Sequence, residues 1–471
     1  MKTLKALKLL QKDTKAEVYL VGGFVRDYLR NKKNDDLDIV VRKLSSNDVK
    51  TFLKQHGSCT EITLAINNDS FTTNLTLFRA YGDKIIAQIV LPRRGKEQIA
   101  NQNNTLSQDA KYRDFRINSL YLPIDYKSKK DVIDPIPGGT GLYDMDRKMV
   151  YPRAPHKDSF EMSPIRLLRA ISLAATTGFA ISTGLLEAIA ENRDKISAVP
   201  AEVLQKEFNK ILLSKRPSKY LRLMSKVGLL QHVMPELARC VGVKQDTRYH
   251  KYDVFTHCIY TCDNTEPELT IRLAGLLHDV GKPETRRKVG NKATFHKHEM
   301  ASVKRARAFL NRLRYDSKTK EVVLTLVRLH MYHYTREYTD AAVRRFIKKA
   351  DITRDNVDSL GDLPLFKLRQ AERLGNGLKT EPVTQRQLDF EKRIKEVFER
   401  GGGLELKDLN ITGHIIMEAF GIKPGKRVGK ILEYLLDRVQ RDKKLNNRMD
   451  LIELALQHIR SGDHSDKMLK S

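Results

Sequence analysis

The chain has 471 residues, too many for one ordinary hydrophobic core, and its length predicts roughly three domains. Its 86 Lys and Arg against 58 Asp and Glu leave a formal charge of +28, which favours a polyanionic partner such as nucleic acid, although a generically basic cytosolic protein stays open. The four cysteines show no CxxC spacing, and no apolar run reaches the roughly 18 residues of a membrane span, so zinc knuckles, disulfides and membrane insertion are not indicated. The N-terminus interleaves Lys with Leu instead of carrying a signal-peptide core, which predicts a cytoplasmic protein.

Two apolar strands near the N-terminus carry the first functional pattern. Residues 18–21 predict a strand that runs into Gly22 and Gly23 and then a short helix, and residues 36–41 predict a strand that carries Asp36 and Asp38. Side chains two apart on a strand share a face, so the two carboxylates converge and repel each other unless a cation lies between them. Oxygen ligands suit Mg²⁺, and paired glycines let a phosphate approach bare backbone N–H groups. Either motif alone is common in ordinary turns, but together they predict a site for a nucleoside triphosphate and two metal ions.

This arrangement resembles the polymerase-beta superfamily of nucleotidyltransferases. Within it, GGFVRD followed by DDLD is similar to the class II tRNA nucleotidyltransferases (CCA-adding enzymes) and the bacterial poly(A) polymerases. The resemblance implies that Asp36 and Asp38 hold two Mg²⁺ ions and that Gly22, Gly23 and Arg26 cradle the phosphates.

The rest of the first 150 residues adds strands at 70–77 and 84–91, a polar stretch from 93 to 110 that reads as a mobile loop, and the segment KYRDFRINSLY. That segment resembles the family's RRDFTINA, in which the second arginine contacts the triphosphate. The resemblance assigns this role to Arg113 and nucleotide binding to Asn118, and a guanidinium there would stabilise charge that grows in the transition state. Taken alone, Arg113 is more simply a solvent-facing arginine. Gln88 stands where the family often has an acidic residue, which leaves Asp109 as a candidate third carboxylate.

From residue 163 the apolar period becomes helical. Residues 164–175 have apolar side chains at i, i+3, i+4 and i+7, and they resemble the family's EDPLRLLRAxRFAA helix. There an acidic residue and the first arginine hydrogen-bond the Watson–Crick edges of incoming CTP and ATP, which assigns nucleotide binding to Arg166 and Arg169. The two acidic positions are Met162 and Ser163 in this chain, so only Ser163 can offer a hydrogen bond where the carboxylate is expected. Residues 200–232 predict two amphipathic helices that end near Gly228 and resemble the family's neck.

A second pattern begins near residue 250 and is rich in histidine. The chain places His257 on a helix, the pair His278–Asp279 on the next, His296 and His298 in a loop and His330 on a further helix, with Glu372 downstream. Imidazoles and carboxylates on neighbouring helices suit one or two divalent cations. The pattern resembles the HD phosphohydrolase superfamily, which implies metal ligation by His257, His278, Asp279, His298, His330 and Glu372. It also implies a metal-activated water that attacks phosphorus, with a vestigial, empty site as the alternative.

The C-terminal residues predict a charged helix over 378–400, a break at 401–403 and a basic, glycine-rich turn that opens a helix. Lys423, Lys426, Arg427 and Lys430 surround this turn, and backbone N–H groups and cations at a helix N-terminus suit an RNA phosphate backbone. The segment resembles the GxDLxxxGxxPGxxxGxxL motif in the part of tRNA nucleotidyltransferases that holds the tRNA.

The sequence therefore predicts an α+β protein with a polymerase-beta-like head (1–150), a helical neck that reads the nucleobase (151–235), an HD domain (236–400) and a helical tRNA-binding region (401–471). The implied reaction is metal-dependent addition of CCA to tRNA from CTP and ATP, without a membrane or a protein partner. Three alternatives stay open: a poly(A) polymerase, an A-adding or CC-adding specialist of the same family, and a non-catalytic RNA-binding protein.

Overall fold

The computed structural model describes residues 2–66, 71–94, 99–153, 155–289, 292–332, 334, 338–402 and 404–468. The chain forms two compact units: Met1–Arg239 with Phe309–Tyr315, and Cys240–Ala308 with Asp316–Ser471. The first unit is therefore not continuous in sequence. None of the helices within the described ranges is long and apolar enough to cross a bilayer.

The head is a mixed sheet with helices against it. Its elements are α1 Lys2–Asp13, β1 Glu17–Val21, α2 Gly23–Leu29, β2 Leu37–Arg42, α3 Ser46–Lys54, β3 Gly57–Ile66, β4 Phe71–Ala80, β5 Ala87–Val90, β6 Arg93–Arg94, β7 Ile99–Ala100, α4 Leu106–Tyr112, β8 Tyr121–Pro123, α5 Thr140–Asp146 and β9 Met149–Val150. The six main strands are ordered β3-β4-β5-β2-β1-β8, and only the β2–β5 pair is parallel.

Strand alternation separates the core of the head from its functional face. Leu37, Ile39 and Val41 of β2 pack in the core beneath α1, whose Leu7 and Leu10 are fully buried. Because successive strand residues point to opposite faces, Asp36 and Asp38 face away from this core. A shift of one residue in the register of β2 would bury both carboxylates, so the apolar pattern of the strand also sets where they point.

Helices make up most of the neck. Its elements are α6 His156–Met162, α7 Arg166–Thr177, β10 Ala180–Ile181, α8 Thr183–Asn192, α9 Ala201–Leu212, α10 Pro217–Lys226, α11 Leu230–Val233 and α12 Pro235–Ala238. Helix α7 is buried along most of its length and ends at Gly178, whose φ of +78° is left-handed. Helix α10 begins with Pro217 at its first position, where the missing N–H costs nothing.

Where the structure describes the second unit, it is helical apart from one antiparallel pair of short strands. Its elements are α13 Val254–Asp263, α14 Leu269–Leu277, α15 Lys282–Thr285, β11 Arg287–Val289, β12 Lys292–Thr294, α16 His298–Arg312, α17 Ser317–Leu329, α18 Asp340–Lys349, α19 Pro364–Gly375, α20 Gln385–Val397, α21 Gly413–Phe420, α22 Lys426–Arg441 and α23 Arg448–Met468. The last residues of α16 belong to the first unit. The last three helices share a separate apolar core that includes Ile416, Ile431, Leu435 and Leu451.

The predicted α+β class is confirmed, and several local predictions are wrong. Asp36 precedes β2, and His278, Asp279 and His330 lie just past the ends of the helices predicted to carry them. The stretch 93–110 is not simply a loop, because a capping box between Thr105 and Gln108 starts helix α4. Residues 84–86 precede β5 instead of extending it, and 378–384 precede α20. His298 is the first residue of α16 and not a loop residue. Ser70, His333 and Gly403 lie outside the described residues, and the fourfold division at 150, 235 and 400 stays a prediction.

Candidate functional site

A cavity of about 900 Å³ opens in the first unit, on the face of the sheet opposite α1. Apart from the candidate third carboxylate Asp109, its lining includes the metal- and nucleotide-binding residues predicted for the head and neck, which are Gly22, Gly23, Arg26, Asp36, Asp38, Arg113, Asn118, Ser163, Arg166 and Arg169. Residues separated by up to 147 positions in the sequence thus share one space. Their individual roles stay predictions.

The two aspartates lie at the start of β2. Asp36 precedes the strand and is exposed, whereas Asp38 lies opposite Val21 of β1 and Gln88 of β5. Burial raises the pKa of Asp38, Arg113 opposes this shift, and the like charge of Asp36 adds to it. Because a cation between these carboxylates would relieve their repulsion, the residues fit a divalent metal. Gln88 also lines the cavity and can offer only an amide oxygen.

The glycine pair allows close approach to Asp38. Gly22 has a φ of +71°, and a Cβ built on it would lie 2.8 Å from Asp38 Oδ2. Any side chain there would be strained and would displace the carboxylate. Arg26 follows on α2, where Nε and Nη2 donate to Asp27 at 3.0 and 2.7 Å and Nη1 donates to Asn118 Oδ1 at 3.0 Å. Arg26 is therefore a fixed part of the wall.

Asp109 is buried and binds arginine, so the prediction of a third metal-binding carboxylate is wrong at this position. Its Oδ2 accepts from Arg113 Nε at 2.7 Å and from the Tyr121 hydroxyl at 2.5 Å, and its Oδ1 accepts from Arg93 N at 2.9 Å. Although burial alone would raise the pKa of Asp109, the two arginines hold it well below the usual range. The carboxylate thereby fixes Arg113, whose Nη groups make no hydrogen bond to any described residue and which lines the cavity.

Arg166 lies on the cavity wall and bonds to the protein. Nη1 donates to Ser159 Oγ at 3.2 Å, Nη2 donates to Tyr112 O at 2.7 Å, and the residue is 5% exposed. Burial lowers the pKa of Arg166 to about 10, which leaves it charged at neutral pH. Ser163 caps the end of α6 and is half-buried.

The sequence analysis missed several polar residues of the cavity lining, among them Asp114, Ser172, Glu207 and Lys210. Asp114 follows Arg113 directly, and its Oδ2 accepts from Arg169 Nη1 at 3.2 Å. Glu207 lies on the buried face of α9, between Leu204 and Ile211, and is itself buried. A charged residue on the apolar face of a helix was the signal that could have identified it.

The second unit brings the six predicted HD residues together. His257, His278 and Glu372 offer ligand atoms within 4.8 Å of one another, and so do Asp279, His298 and His330. In the second trio, Asp279 Oδ1 lies 3.2 Å from His298 Nε2 and 3.7 Å from His330 Nε2. These three buried atoms make no hydrogen bond to a described residue, so the donor set fits a divalent cation.

Backbone carbonyls orient three of the histidines in the same way. Nδ1 of His278, His298 and His330 lies 2.7–2.8 Å from the carbonyl oxygen of the residue three positions earlier. An Nδ1–H that donates to a carbonyl leaves Nε2 as the bare lone pair that a metal needs. Burial and the neighbouring His278 lower the pKa of His257 to about 3, whereas Asp279 raises the pKa of His278 against the opposing effect of burial. Arg369 lowers the pKa of Glu372 to about 2 against the opposing effect of burial.

A pocket of about 710 Å³ opens beside this cluster. Its lining carries six cations, Arg248, Lys282, Arg369, Arg373, Lys379 and Arg386, against the two carboxylates of Asp246 and Glu372. Lys282 Nζ donates to Gln245 Oε1 and contacts Asp279 Oδ2, each at 2.7 Å. Such a surplus of positive charge beside a metal site suits a phosphate ester.

The predicted RNA-binding residues surround the start of α22. Lys423, Lys426, Arg427 and Lys430 are exposed there, while Val428 and Ile431 on the other face enter the apolar core. The amphipathic helix thus turns its cations to solvent.

Comparisons with known proteins agree with this layout. The profile "Poly A polymerase head domain" matches residues 18–151, "Probable RNA and SrmB- binding site of polymerase A" matches 178–240, and "HD domain" matches 247–363. A "CC-adding tRNA nucleotidyltransferase" of Thermus thermophilus is 28% identical over 446 residues, which cover 90% of each chain. A "Multifunctional CCA protein" of Cupriavidus metallidurans is 28% identical over 366 residues, which cover 72% of this chain and 80% of the relative.

The fold is also that of a solved structure, the Bacillus stearothermophilus CCA-adding enzyme in complex with CTP. The two share a TM-score of 0.64 at 16% sequence identity, and 98% of each chain is covered. Along the chain, the head profile comes first, the RNA-binding profile second and the HD profile third. The chain is therefore similar in sequence and in fold to tRNA nucleotidyltransferases, and it combines a poly A polymerase head domain, an RNA-binding segment and an HD domain.

Proposed function

We propose that this chain adds CCA to the 3′ end of tRNA by template-independent nucleotidyl transfer from CTP and ATP. The 3′-hydroxyl of the RNA attacks the α-phosphorus of the nucleotide, the bond to the bridging oxygen breaks, and pyrophosphate leaves. One observation carries the proposal: Asp36, Asp38, Arg113 and the Gly22–Gly23 pair meet in a single cavity of about 900 Å³. The names of the relatives support the same assignment.

In this proposal, different residues of the chain bind the metal, bind the phosphates and stabilise the leaving group. Asp36 and Asp38 hold Mg²⁺, which when bound lowers the pKa of the attacking hydroxyl and neutralises the triphosphate. Gly22 and Gly23 present backbone N–H groups to the phosphates. Arg113, fixed by Asp109, directs its Nη groups at the charge that develops on the leaving pyrophosphate. Asn118 and Arg26 brace each other across the cavity wall.

Extension of tRNA transcripts that end before the CCA, after the first C or after the second C tests this proposal. Each nucleotide is supplied alone and CTP is supplied with ATP, all with Mg²⁺. Addition that stops after C, C and A supports the assignment, and Asp36→Asn is expected to reduce the rate at least about 100-fold. Asp35→Asn is the matched control, because Asp35 is exposed, pairs with Lys33 and does not line the cavity. If Asp36→Asn turned over nucleotides as fast as the unmodified protein, the assignment of Asp36 to the catalytic site would be wrong.

A CC-adding enzyme is the second candidate, and two observations favour it. The Thermus thermophilus relative that spans 90% of this chain is named CC-adding. In addition, Met162 and Ser163 replace the acidic pair, and Arg166 bonds to Ser159 and Tyr112. The same extension assay separates the candidates: a product that stops after two C residues selects this one, and a long A-tail selects a poly(A) polymerase. If the protein bound RNA but added no nucleotide, the result would favour a non-catalytic RNA-binding protein.

For the histidine cluster we propose metal-dependent phosphoester hydrolysis. Its support is the three unpartnered ligand atoms of Asp279, His298 and His330 beside a basic pocket. Metal analysis of the purified protein tests it: His298→Ala with His330→Ala should lower the bound divalent metal and abolish hydrolysis of a 2′,3′-cyclic nucleotide. His414→Ala, an exposed histidine of the same unit, should change neither. Unchanged metal content in the double variant would point to the vestigial alternative.

A further inference from the structure

Arg169 is held on the cavity wall by two carboxylates from different elements. Its Nε donates to Glu207 Oε1 on α9 at 3.2 Å, and its Nη1 donates to Asp114 Oδ2 at 3.2 Å. Nη2 makes no hydrogen bond to a described residue, and 36% of the side chain is exposed. A guanidinium gripped at two of its three nitrogens presents the third as a donor in a fixed direction.

Glu207 is the buried centre of this arrangement. Only 4% of the residue is exposed, and its carboxylate accepts from Ser172 Oγ at 2.5 Å, Lys210 Nζ at 3.1 Å and Arg169 Nε. Although burial alone would raise the pKa of Glu207, Arg169 and Lys210 lower it, so the carboxylate is charged. A buried charge with this many partners is fixed in place and fixes its partners in turn.

Arg166 cannot present its guanidinium in the same way. Both of its Nη groups donate to protein oxygens, those of Ser159 and Tyr112, and it is 5% exposed. The neighbouring positions 162 and 163 are Met and Ser, so neither supplies a carboxylate, and Arg166 feels the charge of Asp114 without a hydrogen bond to it. On the described cavity wall, Arg169 is more exposed, at 36% of its side chain, than Arg26, Arg93 and Arg113, whose side chains are 12–22% exposed.

The chemistry of the bases makes such a pair selective. Cytosine and adenine each present a ring-nitrogen acceptor beside an amino donor on the Watson–Crick edge, whereas uracil and guanine present a ring N–H there. An arginine donor next to a carboxylate acceptor complements the first pattern and leaves polar groups unpaired against the second. We propose that Glu207 is a positioning residue that fixes Arg169, so that Arg169 and the adjacent carboxylate of Asp114 select cytosine and adenine in place of the missing acidic pair at 162–163.

The inference rests on the proposed function, and a ratio of specificities tests it. We would measure kcat/KM for CTP and UTP on a tRNA that ends before the CCA, in the unmodified protein, Glu207→Gln and Arg169→Gln. Glu207→Gln keeps the shape but loses the charge that orients Arg169, and the CTP/UTP ratio is expected to fall about tenfold, mainly through KM for CTP. Because a ratio within one preparation does not depend on the folded fraction, a merely structural role would leave it unchanged.

Two controls sharpen the outcome. Glu202→Gln alters an exposed carboxylate of the same helix α9, which pairs with Arg314, and should leave the ratio unchanged. Glu207→Asp should recover part of the selectivity. An unchanged CTP/UTP ratio in Glu207→Gln overturns the inference, and so does a change confined to the CTP/dCTP ratio, because Arg169 would then contact the ribose. Absence of any transfer by the unmodified protein would instead refute the proposed function.

Discussion

Gly22 shows how a single backbone position constrains the cavity. Its left-handed φ of +71° disfavours any L side chain, and a Cβ there would lie 2.8 Å from Asp38 Oδ2. Gly178 at the end of α7 has a similar φ of +78°, but a Cβ there would meet nothing within 4 Å. A comparison of substitutions at the two glycines can therefore distinguish the effect of backbone strain from the effect of displacing the Asp38 carboxylate.

Replacement of each glycine by alanine should distinguish these effects. Gly178→Ala is expected to cost about 1 kcal/mol of stability, from strain alone, with nucleotide transfer unchanged. Gly22→Ala should lose a similar stability and, because Asp38 is displaced, about 100-fold in kcat/KM for CTP. Thermal melts and steady-state kinetics measure both. Equal activity losses in the two variants would contradict the role assigned to the contact with Asp38.

Asp144 on α5 gives the head an expected pH dependence. The residue is 1% exposed, its Oδ2 has no hydrogen-bond partner among the described residues, and burial raises its pKa from 3.8 to about 6 despite Arg116 at 3.7 Å. A raised carboxyl pKa favours folding below pH 4, and this contribution is lost as the pH rises through 6. When the pH rises from 4 to 7, the free energy of unfolding of Asp144→Asn should therefore fall by about 1 kcal/mol less than that of the unmodified protein. Asp146→Asn, on the same helix, is the control and should show the same fall as the unmodified protein. Urea titrations at both pH values check this.

Where strand alternation or a short motif fixes a residue, the sequence predicts well that the residue lines the cavity, while its role stays a prediction. Asp36 and Asp38 follow from the period of two in β2, and Gly22 follows from its place at a strand end. Asp114 does not follow, and Glu207 is marked only as a charged residue on the apolar face of α9, because the role of both depends on the approach of α9 and α7 to the segment after α4. Tertiary packing brings those elements together, and no local pattern encodes it.

Helix α4 shows the same limit at the scale of an element. Its polar surroundings predict a loop, yet Thr105 and Gln108 cap it, and Leu106 and Ala110 are buried. Buried Asp109 on this helix links Arg93, Arg113 and Tyr121. The element therefore supports the cavity even though Asp109 does not line it.

Asp109→Asn should destabilise the first unit by about 3 kcal/mol, because it leaves Arg113 and Arg93 without their buried counter-charge. It should also raise KM for CTP by about tenfold, since Arg113 loses the partner of its Nε. Lys111→Ala, an exposed substitution on the same helix, is the control. Thermal unfolding and CTP saturation curves give the two quantities, and an unchanged KM in Asp109→Asn would show that Arg113 is not positioned by this carboxylate.

At the scale of the whole molecule, the net charge of +28 indicates a polyanionic partner, whereas the exposed cations at α22 are the predicted position of its contact. The composition alone predicts a polyanionic partner. The position of the contact depends on the structure, because the amphipathic helix α22 places Val428 and Ile431 in the core and its cations in solvent.

Salt dependence of tRNA binding tests this division. Lys426→Gln with Lys430→Gln should reduce the slope of log K against log salt by about 1.5, because two phosphate contacts are lost. Lys12→Gln with Lys15→Gln removes the same charge from exposed positions of the head. The slope should change by less than about 0.5 in this control. An equal change in both double variants would indicate generic attraction to the basic surface.

The return of residues 309–315 to the first unit has a practical consequence for dissecting the protein. Phe309 packs on Phe208 with ring centroids 5.8 Å apart, Arg312 donates to Glu236 at 2.8 Å, and the Tyr315 hydroxyl donates to Asn209 at 2.6 Å. A fragment that ends at residue 239 would lack residues 309–315 and would expose the apolar surface of α9 and α12 that they cover. Expression of the catalytic half alone therefore requires either a chain that extends past Tyr315 or a second fragment that supplies 309–315 in trans.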